Sequence, residues 1–412
     1  MKKALILTVT AGFGHNSAAR TIKNRLLAAT DEKYEVEVIE VLKEYGNDLY
    51  YHLTKDGYSL IMSYAPRVFE LGFYSSKQVR DLNKSHGYPH HAALSCMTEL
   101  YKKINEFKPD VIYCSHFIPA IALSDLRLVY KVPPIIIMSE LDYYNTPFFE
   151  AALNVDYFTI PHEELLEENL KIGFKKEQLK VTGIPIDSKF SNPISKIDAR
   201  KKLNIEENLF TILVMFGGGE WSGIAKLFKE LIKVIEEKVQ IIIINGRNKE
   251  SYEEINNIIP PDNIKVVNVG FVENIVEYMF ASDIAITKAG GLSVTEMIAT
   301  ELPLIIYEKV YAQEKENMHF LISKGMAESY SDADDLLLQI KAVKQNYDYY
   351  INNLRSFKRN AVEDIYKLIK DAPKAIYDEQ YIASINYSEV KKKVRQALHK
   401  KFTFDFDIDF DD

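Results

Sequence analysis

Ala281-Ser282-Asp283-Ile284-Ala285-Ile286-Thr287-Lys288-Ala289-Gly290-Gly291-Leu292-Ser293-Val294-Thr295-Glu296 is the stretch on which the fold turns. Its apolar, β-branched run ends at Thr287 and spells a short buried strand. Gly290 and Gly291 make a tight turn, and a helical period follows that carries Glu296 in its first two turns. Strand, glycine turn and helix in that order form the unit of a doubly wound α/β domain, where parallel strands are buried by crossover helices.

The unit repeats outward in both directions. Candidate strands in the second half are Phe210–Met215, Gln240–Ile244, Lys265–Val269, Ile284–Thr287 and Leu304–Tyr307. Those in the first half are Ala4–Val9, Glu35–Ile39, Asp110–Cys114, Ile135–Met138 and Tyr157–Ile160. Two doubly wound α/β domains are predicted, parted where Pro193 and turn formers interrupt the pattern between Asn192 and Ile197. A length of 412 residues with 47% hydrophobic content supports two such cores.

The crossover from Tyr45 to Tyr88 is too long for a simple connection and holds Tyr50, Tyr51, Tyr58, Tyr64, Phe69, Phe73 and Tyr74. These rings are either the core of extra helices or, for a few of them, contacts at a lipid interface. Beyond Asp371 the basic residues Lys391, Lys392, Lys393, Arg395, Lys400 and Lys401 read as a solvated helix face or as a contact with an anionic membrane surface. The alternating Phe404 to Asp412 reads as a frayed end or an edge strand rather than a metal site.

A net charge of −8 and a pI near 5.7 exclude nucleic acid as the main partner, since phosphate-backbone binding needs a basic surface. Only Cys96 and Cys114 are present, in neither a CxxC spacing nor a disulfide framework, and a cytoplasmic location is expected. No run reaches the ~18–20 apolar residues needed to cross a bilayer, so any membrane contact is expected to be peripheral.

The chemistry gathers at strand ends. Phe216-Gly217-Gly218-Gly219-Glu220-Trp221-Ser222-Gly223 follows one strand; its glycines either cradle a phosphate at the positive end of the next helix or simply make a tight turn. Val269-Gly270-Phe271-Val272-Glu273-Asn274 follows another strand, and Tyr311-Ala312-Gln313-Glu314-Lys315-Glu316-Asn317 a third. A carboxylate at Glu296 is placed to accept both hydroxyls of a ribose. In the first half, Gly12-Phe13-Gly14-His15 leads from the first strand into a helix. A helix N-terminus lowers an imidazole's pKa and keeps it neutral, which suits a general base.

Taken in order, Gly-Phe-Val-x-Asn, Ala-Ser-Asp-x-x-Ile-Thr-Lys-x-Gly-Gly-x-Ser-x-x-Glu and Gln-Glu-x-x-Asn resemble the nucleotide-sugar half of monogalactosyldiacylglycerol synthases and processive diacylglycerol glucosyltransferases. That group is related to the lipid-linked GlcNAc transferase of peptidoglycan synthesis. The likeness continues through the Gly-x-Gly-His loop, Arg67-Val68-Phe69, Lys108-Pro109-Asp110 and Val181-Thr182-Gly183-Ile184-Pro185, and spans roughly Lys3 to Lys370.

It implies the GT-B fold, two Rossmann-like domains facing a central cleft, with residues 1–192 for the acceptor, 193–370 for the UDP-sugar and 371–412 as a tail. It further implies an inverting, metal-independent hexosyl transfer without a cofactor, from UDP-glucose or UDP-galactose to diacylglycerol or a glycosyl-diacylglycerol at the inner face of the cell membrane. Phe271 and Val272 would hold the uracil and Glu296 the ribose. Gly290 and Gly291 would hold the diphosphate and Gln313, Glu314 and Asn317 would face the sugar, while Gly217, Gly218, Gly219 and Lys288 are further candidate substrate contacts. His15 would be the base, with Gly14 and His116 as substrate contacts, and Asp142 would bind acceptor or position the base.

Two departures stand out. Relatives often read Lys-Pro-Gly-Gly or Lys-Ala-Gly-Pro-Gly where this chain has Lys288-Ala289-Gly290-Gly291, and a Thr-Asp-Phe followed by histidine where it has Glu140-Leu141-Asp142 and Thr146. An undecaprenyl-linked GlcNAc transferase, a UDP-GlcNAc 2-epimerase and a non-catalytic UDP-sugar sensor are the alternatives.

Overall fold

A computed structural model of the protein describes residues 1–57, 67, 87–130, 132–217, 221, 223–371 and 391–396. Its described residues form two compact units. The first takes those of Met1–Leu141, Asn145–Pro185 and Ala361–Asp412; the second takes those of Asp142–Tyr144 and Ile186–Asn360.

The first unit holds strands β1 (Lys2–Thr8), β2 (Tyr34–Glu40), β3 (Val111–Cys114), β4 (Ile135–Ser139), β5 (Tyr157–Ile160) and β6 (Leu179–Val181). They pair in parallel in the order β2-β1-β3-β4-β5-β6. Because strand side chains alternate between faces, Leu5, Leu7, Ile112, Cys114, Ile136 and Met138 enter one core while Ala4, Ile6, Val111, Tyr113 and Ile137 enter another. Both faces are therefore dry, which is why these strands read as continuous apolar runs.

The second unit holds β7 (Phe210–Met215), β8 (Val239–Ile244), β9 (Ile264–Val269), β10 (Ile284–Thr287), β11 (Leu304–Tyr307) and β12 (Ala327–Tyr330). Their parallel order is β12-β11-β10-β7-β8-β9, so the chain reverses direction across the sheet between β7 and β10. In open α/β sheets that switch point is where ligands collect, beyond the carboxyl ends of the strands.

All ten sequence-derived strands are present, shifted by a residue or so. The two that escaped, β6 and β12, are sheet edges with half-exposed residues and no unbroken apolar run to mark them.

The division of the chain also differs from the one read in sequence. It enters the second unit at Ile186 rather than after Asn192, and the helix Ala361–Asp371 belongs to the first unit rather than the second. That helix buries Ile365, Tyr366 and Ile369 against Ala19, Ile22 and Leu26 of the helix Gly14–Leu27. Arg25 Nη2 donates to Glu363 Oε2 at 2.9 Å, and its guanidinium lies 3.6 Å from the centre of the Tyr366 ring.

Of the aromatic crossover, Tyr45, Tyr50 and Tyr51 pack partly buried against the first unit's core. Tyr58, Tyr64, Phe69, Phe73 and Tyr74 lie outside the described residues, as do Gly218, Gly219, Lys400, Lys401 and the acidic tail. Val394, amid the basic stretch, is fully buried in the first core. Among the described residues no helix is long and apolar enough to cross a membrane, and no three His, Cys, Asp or Glu side chains gather to hold a metal ion.

Candidate active site

In the first unit the loop after β1 is fastened by its own side chains. Thr8 Oγ1 donates to Asn16 Oδ1 at 3.0 Å, Asn16 Nδ2 donates to Thr10 Oγ1 at 3.1 Å, and the Thr10 N–H donates to Glu40 Oε1 at 2.6 Å. Gly12 turns the chain with φ of +77°, a conformation that penalises any side chain. The helix then starts at Gly14 without a side-chain cap, so its first N–H groups stay available.

His15, half-buried in that first turn, has Nδ1 2.6 Å from the Ser115 carbonyl oxygen. A carbonyl only accepts, so Nδ1 carries the proton and Nε2 of the neutral ring holds a basic lone pair. Burial lowers the His15 pKa while the Ser115 carbonyl pulls it up, and the net shift is downward.

His116 stands beside it, the ring centres 4.5 Å apart at 70°. Expected from sequence as a substrate contact, it is only 4% exposed, and its Nδ1 accepts the Ile118 N–H at 3.1 Å to cap the helix Phe117–Leu126. Burial, then the nearby His15, holds its pKa well below the usual imidazole value. Its observed work is to cap a helix and wall one side of His15. The carbonyl of Ser115, which fixes the tautomer, left no mark in the sequence because any residue carries one.

In the second unit the loops after β7, β9, β10 and β11 supply the expected donor residues. Gly217, with φ of +80°, follows β7, and a Cβ there would lie 3.8 Å from Lys288 Cε. Lys288 Nζ pairs with Glu314 Oε1 at 2.5 Å, and a Cβ on Gly290 would come within 3.9 Å of the same oxygen. Two glycine turns, one lysine and one carboxylate are thereby drawn together. Gly290 is the N-cap residue of the helix Gly291–Ala299 and brings no side chain to its first N–H groups.

Glu296 on that helix is half-buried, and its carboxyl is pushed up to about 8 by burial, with Lys189 lowering and Asp187 raising it. Phe271, at the end of β9, is 60% exposed and carries the Arg247 guanidinium 5.7 Å from its ring centre; Val272 beside it is half-buried. Asn245 holds the ends of β8 and β9 together, donating from Nδ2 to Asn268 Oδ1 at 2.6 Å and to the Val269 carbonyl at 3.0 Å. Sequence reading passed over Arg247, although Asn245-Gly246-Arg247-Asn248 is a turn at a strand's carboxyl end and could have flagged it.

The helix Gln313–Ser323 follows Ala312, a non-glycine residue at φ of +52°, a strained conformation of the kind functional sites retain. Gln313 Oε1 is buried with no hydrogen-bond partner among the described residues. Asn317, expected to face the sugar, is the opposite. It is fully buried, donates from Nδ2 to Asp142 Oδ1 at 2.7 Å and to the Ala289 carbonyl at 2.9 Å, and accepts the Tyr143 N–H at 2.6 Å. Its amide is wholly committed.

Asp142, expected to serve the acceptor or the base, clusters with the second unit among Asn317, Gly291, Glu314 and Lys288. Burial raises its carboxyl to about 6; the Asn317 bond lowers it, Glu314 raises it, and the Gly291 N–H and Lys288 lower it.

Two doubly wound parallel sheets in one chain, with glycine turns at the strand ends of the second, define a GT-B glycosyltransferase fold. The MurG structure from Acinetobacter baumannii superposes with a TM-score of 0.56 at 14% identity, covering 90% of this chain and 99% of that one. Residues 15–186 match the family described as monogalactosyldiacylglycerol (MGDG) synthase, and residues 211–369 match the glycosyltransferase family 28 C-terminal domain.

The chain is 28% identical over 366 residues to the processive diacylglycerol beta-glucosyltransferase of Bacillus pumilus, covering 87% of this chain and 90% of the relative. To the probable chloroplastic monogalactosyldiacylglycerol synthase of Nicotiana tabacum it is 27% identical over 397 residues, 90% of this chain and 70% of that protein. It belongs to the monogalactosyldiacylglycerol synthase and diacylglycerol glucosyltransferase family of GT-B enzymes.

Proposed function

We propose that this glycosyltransferase moves glucose or galactose from its UDP-sugar to diacylglycerol or a glycosyl-diacylglycerol, with inversion and without a metal ion or cofactor. The reaction would run at an anionic membrane surface on the cytoplasmic side. The acceptor is supported by what the relatives act on. The donor is supported by the paired glycine turns with Lys288, the helix start at Gly291, the carboxyl of Glu296 and the buried Gln313 Oε1.

The observation that carries the mechanism is the His15 ring, with its proton fixed on Nδ1 by the Ser115 carbonyl and its lone pair on Nε2. In the step proposed, Nε2 takes the acceptor hydroxyl's proton as that oxygen bonds to the anomeric carbon. The bond from that carbon to the diphosphate breaks, and its electron pair leaves with UDP. Helix N–H groups and Lys288 stabilise the charge that builds there. A single displacement on the face opposite the leaving group inverts the anomeric centre.

The test is to incubate the purified protein with UDP-glucose or UDP-galactose, with and without diacylglycerol vesicles, and to follow UDP release and lipid mass. UDP release and a hexosyl-diacylglycerol only with lipid present are expected. Conversion of UDP-GlcNAc with no acceptor would assign epimerase chemistry, and binding of UDP-sugar with no turnover on any lipid would assign a sensor.

A further inference from the structure

The start of the helix Gly291–Ala299 is already taken by a carboxylate. The Gly291 N–H donates to Asp142, whose Oδ1 also receives Asn317 Nδ2 at 2.7 Å. The residue is tethered there by its neighbour. Tyr143 donates its N–H to Asn317 Oδ1 at 2.6 Å, stacks on Phe320 with ring centres 5.2 Å apart at 7°, and reaches Thr295 Oγ1 with its hydroxyl at 2.8 Å. Thr295 spends its own proton on the Gly291 carbonyl at 2.6 Å, so the Tyr143 hydroxyl is the donor in that pair. The tether therefore grips the same first turn of helix that Asp142 caps.

The charges around it do not suit a diphosphate as they stand. Lys288 is the cation beside Asp142, and it is paired with Glu314 at 2.5 Å, so an ionised Asp142 leaves this group of three with an excess of one negative charge. An uncapped helix start with a lysine at hand is an anion site, but here one anion is the protein's own. Two N–H donors, from Gly291 and Asn317, and the nearby Lys288 favour the ionised form of that carboxyl against the burial that raises its pKa.

We propose that Asp142 is an internal competitor for the donor's diphosphate, seated at the Gly291 helix end until the nucleotide displaces it and Lys288 exchanges Glu314 for phosphate. This rests on the reading of the second unit as a UDP-sugar site. Two anions cannot share one set of N–H groups, because like charges brought together at a site repel strongly. Removing the charge of Asp142 therefore strengthens donor binding, where loss of an ordinary site residue would weaken it.

The test is titration of UDP-glucose, UDP and uridine into the wild type, Asp142→Asn and Asp142→Ala at pH 7.5, read by calorimetry and by the emission of Trp221, the chain's single tryptophan. Asp142→Asn keeps an acceptor for Asn317, and its melting temperature reports the fold. Expected is on the order of tenfold tighter binding of UDP-glucose and UDP to both variants, with uridine unchanged because it carries no phosphate. Weaker binding of UDP-glucose to a folded Asp142→Asn overturns the proposal and makes Asp142 a donor ligand. An equal gain for uridine overturns it too, since the effect would then not lie at the diphosphate. Failure of the wild type to bind UDP or UDP-glucose at all overturns the UDP-sugar reading, and the competitor with it.

Discussion

The histidine end of the first unit and the glycine-turn end of the second are both built on strand-to-helix turns, yet they stand at different stages of readiness. At His15 a single carbonyl fixes the tautomer and a second ring walls the imidazole, which leaves the lone pair on Nε2. At the donor end the polar groups are spent on each other. Lys288 holds Glu314 and Asn317 holds Asp142 and Tyr143, while Gln313 Oε1 is buried with no hydrogen-bond partner among the described residues. A base has to be poised before substrate arrives, since its geometry enters the rate. A site for a dianion has to satisfy its own charges while empty, because an unpaired buried charge is costly.

Substitutions separate the two ends. The largest effect is expected from His15→Ala, which removes the base and should lower kcat by about 10²- to 10⁴-fold while leaving UDP-sugar binding within a small factor of the wild type. Steady-state kinetics paired with donor titration checks this; a loss confined to donor KM would move His15 out of the chemistry.

Next comes Glu296→Ala. A Glu296 carboxyl that bonds the ribose hydroxyls should be worth roughly 3- to 30-fold in donor affinity, with acceptor KM little changed. Equal losses for donor and acceptor would contradict a ribose role. The smallest is Arg247→Ala, where losing the cation over Phe271 should weaken UDP binding by about two- to fivefold with kcat intact.

Much of this was legible before any coordinates. Continuous apolar runs such as Ile241–Ile244 declare buried parallel strands, and the glycine turns after some of them, as at Gly217 and Gly290, mark candidate ligand sites, because those signals are local. What stayed hidden depends on partners far apart in the chain. Ala361–Asp371 reads as the last helix of its own half until Ile365 and Tyr366 are seen against Ile22 and Leu26. Asn317 reads as a sugar contact, and nothing local shows that its amide also bonds Asp142, Tyr143 and Ala289. His116 looks the same in sequence whether it meets substrate or caps its own helix, and burial alone distinguishes the two.

The claim that a neutral His15 is the base has a direct readout in the pH dependence of kcat for hexosyl transfer to diacylglycerol. Burial lowers the His15 pKa, so the basic form persists below the ordinary histidine value of about 6.5 and is lost only when the pH falls through the depressed pKa. The expected profile is level from pH 8 to below 6.5, then falls with a slope of about one on further acidification. An acid limb centred at or above 6.5, or the same limb surviving in His15→Ala, would contradict it.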